Sequence, residues 1–93
     1  MEMKYSITLH PLVTSYDIPQ LDTFWRHTIR DAIREKLATK PEIYGKPLRY
    51  NLKGCRALRI GDYRAVFQME HATVYVVAIV HRSSKYKGVE RRI

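Results

Sequence analysis

LRIGDYRAVF, residues 58–67, decides how the chain is read. Gly61-Asp62 lies between two runs of strand-forming residues and predicts a two-residue turn with positive φ at Gly61. Such a turn sets Ile60 against Tyr63 and Arg59 directly against Arg64. Partners on one face of an antiparallel pair lie about 5 Å apart, where like charges are destabilising. Two facing arginines therefore call for nearby carboxylates or for an anion held between them.

Working outward, CRALRI and YRAVFQM form the hairpin, a second turn falls near Glu70-His71, and TVYVVAIVH follows. Three strands joined by short turns make an antiparallel meander. The last is apolar on both faces and belongs at the centre of the sheet. KYSITLH, residues 4–10, reads as a first strand beside it, giving a small antiparallel four-stranded sheet. After a loop through LVTSY, Asp17 and Gln20 give an N-terminal capping signal, with Pro19 tolerated in a first helical turn. Ile18, Leu21, Trp25, Ile29, Ala32 or Ile33, and Leu37 then form one apolar stripe, and Pro41 ends the segment. A kink can divide it into two helices. The segment 40–54 reads as a surface connection, and the tail RSSKYKGVERRI is compatible with a short C-terminal helix. The expected class is α+β, with one or two N-terminal helices packed on the sheet, in a single domain over residues 1–93.

Alternation assigns the faces of this sheet. Leu58, Ile60, Tyr63, Ala65 and Phe67 share the side under the helix, while Ala57, Arg59, Arg64, Val66 and Gln68 share the other. A two- or four-residue turn after Met69 carries the parity onward and places Tyr75, Val77, Ile79 and His81 with the arginines. Arg82 sits where the last strand ends.

The composition, 45% hydrophobic and 28% charged, is that of a globular chain. No apolar run approaches the roughly 20 residues of a membrane span, so no membrane partner is expected. The N-terminus lacks a signal-peptide core, and the expected compartment is cytoplasmic. Cys55 is the sole cysteine, which excludes an internal disulfide and a zinc site of paired cysteines. No His, Cys, Asp and Glu cluster shows ligand spacing, so neither metal nor cofactor is expected.

The net charge of +8 is unevenly placed. Residues 1–46 hold seven Lys/Arg against six Asp/Glu, whereas residues 47–93 hold ten against three. A basic half of a small domain points to a polyanion, nucleic acid first. Arg59, Arg64 and Arg82, with His81 and Tyr86 near them, make a candidate phosphate site, because guanidinium forks match phosphate oxygens. Pairing with Asp62, Glu70 or Glu90 cannot neutralise all ten bases. Metal-independent RNA cleavage uses such groups: a ribose 2′-hydroxyl attacks the adjacent phosphorus, helped by a base, an acid and a clamp for the developing charge. Tyr86 or His81 can serve the proton transfers.

The succession G-x-P-L, L-x-G, L-R-x-G-D-Y-R, an apolar strand and H-R-x-x-x-Y occurs in order between Gly45 and Tyr86. It resembles the RelE/ParE-type toxins of bacterial and archaeal toxin–antitoxin modules. The resemblance implies an endoribonuclease that cuts mRNA on the ribosome and is held inactive by a cognate antitoxin. It also implies functional roles for Arg64, Arg82 and Tyr86, with His81 as the rival acid–base group. Arg59, Arg56, Lys53 and Lys85 complete the expected phosphate-binding set, although Arg56 alternates to the opposite face. Where nucleases of this kind place two basic residues before the turn, Arg59 supplies one and Ala57 occupies the other position. Lys53, Lys85 or Lys87 can supply charge from loops instead. Two other readings stand beside this one. A ParE-like relative poisons DNA gyrase without catalysis, and a plain nucleic-acid-binding module would expose aromatic residues for stacking.

Overall fold

The computed structural model describes residues 4–93. Strand β1 (Ser6–Leu9) is followed by helical turns in place of the expected loop, π-helical over Val13–Asp17 and 3₁₀ over Ile18–Gln20. Leu21 then adopts extended geometry, φ −85° and ψ 144°, and divides the helical segment. Helix α1 (Thr23–Ala32) begins afresh with Asp22 as its cap, the carboxylate accepting from the Trp25 N–H at 3.0 Å. The capping residue is thus Asp22, not Asp17, because Leu21 resets the chain just before it. A π-helical turn, Ile33–Leu37, extends α1. Lys40, placed before proline, is driven out of helical geometry, and Pro41 opens helix α2 (Pro41–Tyr44) at its first position.

Strand β2 (Lys46–Pro47) pairs with β3 (Arg56–Ile60), which continues through the hairpin to β4 (Tyr63–Glu70) and β5 (Thr73–His81). The sheet order is β1-β5-β4-β3-β2. The α+β class, the meander and the interior position of β5, paired on both sides, are as the sequence implies. Two features differ. The two-residue β2 adds a fifth strand at an edge, where Pro47 leaves no ladder donor missing from the interior. The sheet is also mixed, because β1 runs parallel to β5, with Ser6 beside Thr73 and Leu9 beside Val76. The helices and meander between them form the long connection that a parallel pairing needs.

Both faces of the sheet are covered. On one, Ile29, Ile33 and Leu37 of the helical layer pack on Leu58, Ile60, Ala65 and Phe67. On the other, Leu52, Cys55 and Val89 close over Val66, Val77 and Ala78. Burial pushes the Cys55 thiol pKa up, so the thiol stays protonated and inert.

The hairpin turn is as expected, with Gly61 at φ 58°. The Trp25 ring lies over it, and a Cβ on Gly61 would come within 2.6 Å of that ring. Gly61→Ala combines a disfavoured left-handed backbone with overpacking, and should cost about 1–3 kcal/mol of stability. An unchanged urea midpoint would contradict this seating of Trp25.

One irregularity redirects the end of β5. Val66 pairs with Ala78, but the next residue, Phe67, pairs with Val76, so Val77 is the extra residue of a β-bulge. Val77 and Ala78 consequently face the same layer. Beyond them the parity is reversed. Ile79 joins the helix-side core, and His81 stands opposite Tyr63, at the border of the arginine side.

Candidate functional site

Arg59 and Arg64 are direct partners across the hairpin. The structure gives part of the reason they tolerate each other. Arg64 Nη1 donates to the Gly61 carbonyl at 3.0 Å and to the Tyr63 carbonyl at 2.9 Å, so turn dipoles face its charge. Its remaining donors have no protein partner among the described residues. Arg59 is exposed, without a hydrogen bond or ion pair to another described residue.

Arg82 follows β5 and is positioned by the same turn. Its backbone N–H donates to the Asp62 carbonyl at 2.8 Å, and its Nε lies 3.6 Å from the Asp62 carboxylate. Both side chains are more than half exposed, so this ion pair holds Arg82 only loosely. Lys85 and Tyr86 then take left-handed backbone in succession, at φ 52° and 63°. Such strain persists only where surroundings impose it. Here the Tyr86 ring packs on the second core and Val89 is buried just beyond. The result is one concavity of about 260 Å³ lined by Arg64, Val80, His81, Arg82, Lys85 and Tyr86. Its cationic walls and single phenol suit a phosphate with a proton donor or acceptor beside it.

His81 borders this concavity but is engaged elsewhere. Its ring meets Tyr63 edge-on at 5.2 Å, on the side to which the bulge has turned it. Its Nδ1 accepts the Ser83 N–H at 3.2 Å and lies 2.8 Å from the Ser83 hydroxyl. This caps the turn after β5 and leaves the neutral ring's proton on Nε2.

Arg56 does not join the site. It projects to the helix side and donates to the carbonyls of Gly45 at 3.0 Å and Glu42 at 3.4 Å, fastening α2 to the sheet. Lys53 is exposed after the 3₁₀ turn Tyr50–Leu52, outside the lining of the arginine concavity. The supposed floor is altered as well: Val66 and Val77 are fully buried beneath the Leu52 loop and the tail, and Ile79 faces the helices.

An unforeseen pair secures the tail that carries Tyr86. Arg92 grips Asp17 with both nitrogens, at 2.7 and 3.0 Å, and also donates to the Val77 carbonyl at 3.2 Å. The Asp17 carboxylate accepts the Ile79 N–H at 2.9 Å. Beyond the end of β1, the two side chains thus serve the free edge of β5 as another strand would. The hydrogen bond to Asp17 raises the already high Arg92 pKa, despite burial. Asp17 comes from the near-neutral half of the chain, so counting acids in the basic half alone could not reveal this pairing. Among the described residues, no group of three His, Cys, Asp or Glu side chains is placed to hold a metal ion.

A small mixed sheet backed by helices, with an arginine-lined concavity beside the tail, defines a small α+β domain. Residues 17–86 match the model of the ParE toxin family of type II toxin–antitoxin systems, and the chain belongs to that family. It is similar to Toxin RelE of Mycobacterium tuberculosis, 40% identical over 53 residues, which is 55% of each chain. Toxin RelG of the same organism is 38% identical over 53 residues, 55% of this chain and 61% of that one. The matched stretch thus spans between half and two thirds of these relatives. The fold is shared with a chain of the RelBE2 toxin–antitoxin complex of M. tuberculosis, at TM-score 0.80 and 25% identity over 89% of this chain and 97% of that one. It is also shared with a conserved hypothetical protein of Helicobacter pylori, at TM-score 0.61 and 14% identity over 88% and 97% of the two chains.

Proposed function

We propose that the chain is an endoribonuclease toxin that cleaves mRNA by internal attack of a ribose 2′-hydroxyl. The observation that carries this reading is the meeting of Arg64, Arg82 and Tyr86, from the hairpin, the end of β5 and the tail, around one concavity. Similarity to toxins named RelE and RelG supports it. In the reaction the 2′-oxygen bonds to phosphorus as the bond from phosphorus to the 5′-oxygen breaks. The 2′-hydroxyl proton goes to a base, and the departing 5′-oxygen gains a proton from an acid. Arg64 and Arg82 would stabilise the charge growing on the phosphoryl oxygens. Tyr86 is the proton carrier we favour, its phenol lining the concavity, while His81, held through Nδ1 in the turn after β5, keeps Nε2 as the rival donor. Message presented on a ribosome is the substrate we infer.

A cognate antitoxin is the proposed regulatory partner, supported by the likeness to a chain from a toxin–antitoxin complex. An acidic amphipathic segment fits the apolar groove beneath α1, which includes Ile7, Leu9 and Ile29 and carries Arg26, Arg30 and Arg34.

Mapping transcript 5′ ends after expression tests the activity. New ends should appear within coding regions with the parent chain and be strongly reduced with Tyr86→Phe, and co-expression of the neighbouring gene product should relieve the growth arrest. The match to the ParE toxin family model supports a second reading, the gyrase poisoning without catalysis that a ParE-like resemblance implies. In that case transcripts stay intact, Tyr86→Phe remains toxic, and purified chain blocks gyrase supercoiling.

A further inference from the structure

Tyr50 presents its ring to solvent at 91% exposure, more than any other large hydrophobic side chain among the described residues. Its backbone is left-handed, at φ 57°, a conformation that tyrosine seldom adopts and that its surroundings must impose. The imposing contacts are evident. Leu52 is buried in the second core and Leu48 packs against it, so the loop is anchored on either side of Tyr50. Hydrogen bonds from Leu48 N–H to the Cys55 carbonyl, 2.9 Å, and from Lys53 N–H to the Tyr50 carbonyl, 3.0 Å, close the loop. The ring is therefore held out by a fixed scaffold.

Tyr50, Arg49, Lys85, Tyr86, Lys87 and Glu90 line a cleft of about 450 Å³. Lys85 and Tyr86 also line the arginine concavity, so the two depressions adjoin across these two residues. A strand whose phosphate lies at Arg64 and Arg82 would pass its next nucleotide into the Tyr50 cleft. Glu90 can accept from a base's exocyclic amine while Arg49, Lys85 and Lys87 neutralise the flanking phosphates, so the cleft suits a whole nucleotide with its base beside Tyr50. We propose that Tyr50 is a stacking platform for a nucleobase of single-stranded RNA, next to the phosphate held at Arg64 and Arg82. This rests on the RNA-cleavage reading above. Stacking on an aromatic face is sequence-tolerant and contributes substantially to single-strand binding.

The test uses the purified 93-residue chain and a single-stranded RNA oligonucleotide made non-cleavable by 2′-O-methylation and labelled with 2-aminopurine. Tyr50→Leu keeps apolar bulk but removes the π-face, and should weaken binding about 5- to 150-fold and relieve the quenching of a stacked 2-aminopurine. Tyr50→Phe should bind as the parent does. Circular dichroism should be unchanged in both variants, since the ring is exposed. With cleavable RNA, Tyr50→Leu should raise KM and leave kcat nearly unchanged. Unaltered RNA binding by Tyr50→Leu overturns this inference and leaves the cleavage reading standing. Failure of the parent to bind single-stranded RNA removes both. Unchanged RNA affinity with weakened binding of the antitoxin would make Tyr50 a protein contact and overturn the proposal.

Discussion

An Arg82→Ala chain is expected to cleave RNA about 10²–10³-fold more slowly than the parent, the usual effect of removing one donor from a site of developing negative charge. The geometry makes this substitution informative. Arg82 is fixed through its backbone N–H on the Asp62 carbonyl, which alanine retains. The side chain is 63% exposed and its ion pair with Asp62 is loose, so stability should scarcely change. A fall in rate would therefore report transition-state stabilisation and not unfolding. Lysine at the same place keeps a charge but loses the planar fork, so Arg82→Lys should recover only part of the rate. Single-turnover cleavage of a short RNA at saturating protein is the suitable measurement. An Arg82→Ala rate within a few-fold of the parent would remove Arg82 from the chemistry.

The largest expected effect on stability comes from Arg92→Ala. Arg92 and Asp17 are 15% and 5% exposed at their side chains and meet in bidentate geometry. Removing one member of a buried pair typically costs about 3–5 kcal/mol, because the remaining charge is left without its partner. Here the Asp17 carboxylate would keep only the Ile79 N–H, and the Val77 carbonyl would lose its donor. The urea midpoint should fall sharply with Arg92→Ala and with Asp17→Ala. The double variant should lose less than the sum of the two, as expected for residues in direct contact. Cleavage should weaken as well, because the tail secured by Arg92 carries Tyr86. Additive losses would mean that the two side chains act independently.

Alternation across Gly61-Asp62 was enough to place Arg59 opposite Arg64 and the Leu58, Ile60 and Phe67 side under the helices. Such a turn leaves little freedom of register, and a slip by one residue would exchange core for surface. The same rule failed after Val77, because a bulge adds one residue without any necessary mark in composition. Nothing in VYVVAIV distinguishes the residue left over, so alternation misplaces Ile79 and turns the His81 register, although His81 still borders the concavity with Arg64 and Arg82. The capping signal at Asp17 was plausible locally, yet Leu21 broke the helix and Asp22 took that role. Asp17 was thereby free to meet Arg92, 75 positions away. A contact at that separation leaves no spacing pattern, and only the folded sheet edge shows why a carboxylate is needed there. The motif positions Arg64, Arg82 and Tyr86, and their meeting at one cationic site, are legible in the sequence. The backbone that brings Tyr86 there is not, since it uses two successive left-handed residues that are not glycine.

The central claim is tested most directly by incubating purified parent chain and Tyr86→Phe with a short RNA in EDTA, and identifying the ends of the products. The parent should cleave and leave a 2′,3′-cyclic phosphate upstream and a 5′-hydroxyl downstream, while Tyr86→Phe, which keeps the ring and its packing, should be strongly impaired. A deoxyribose at the scissile position should abolish the reaction. Cleavage that survives this replacement, or that disappears in EDTA and returns with a divalent metal, would contradict attack by the 2′-hydroxyl under arginine and tyrosine control.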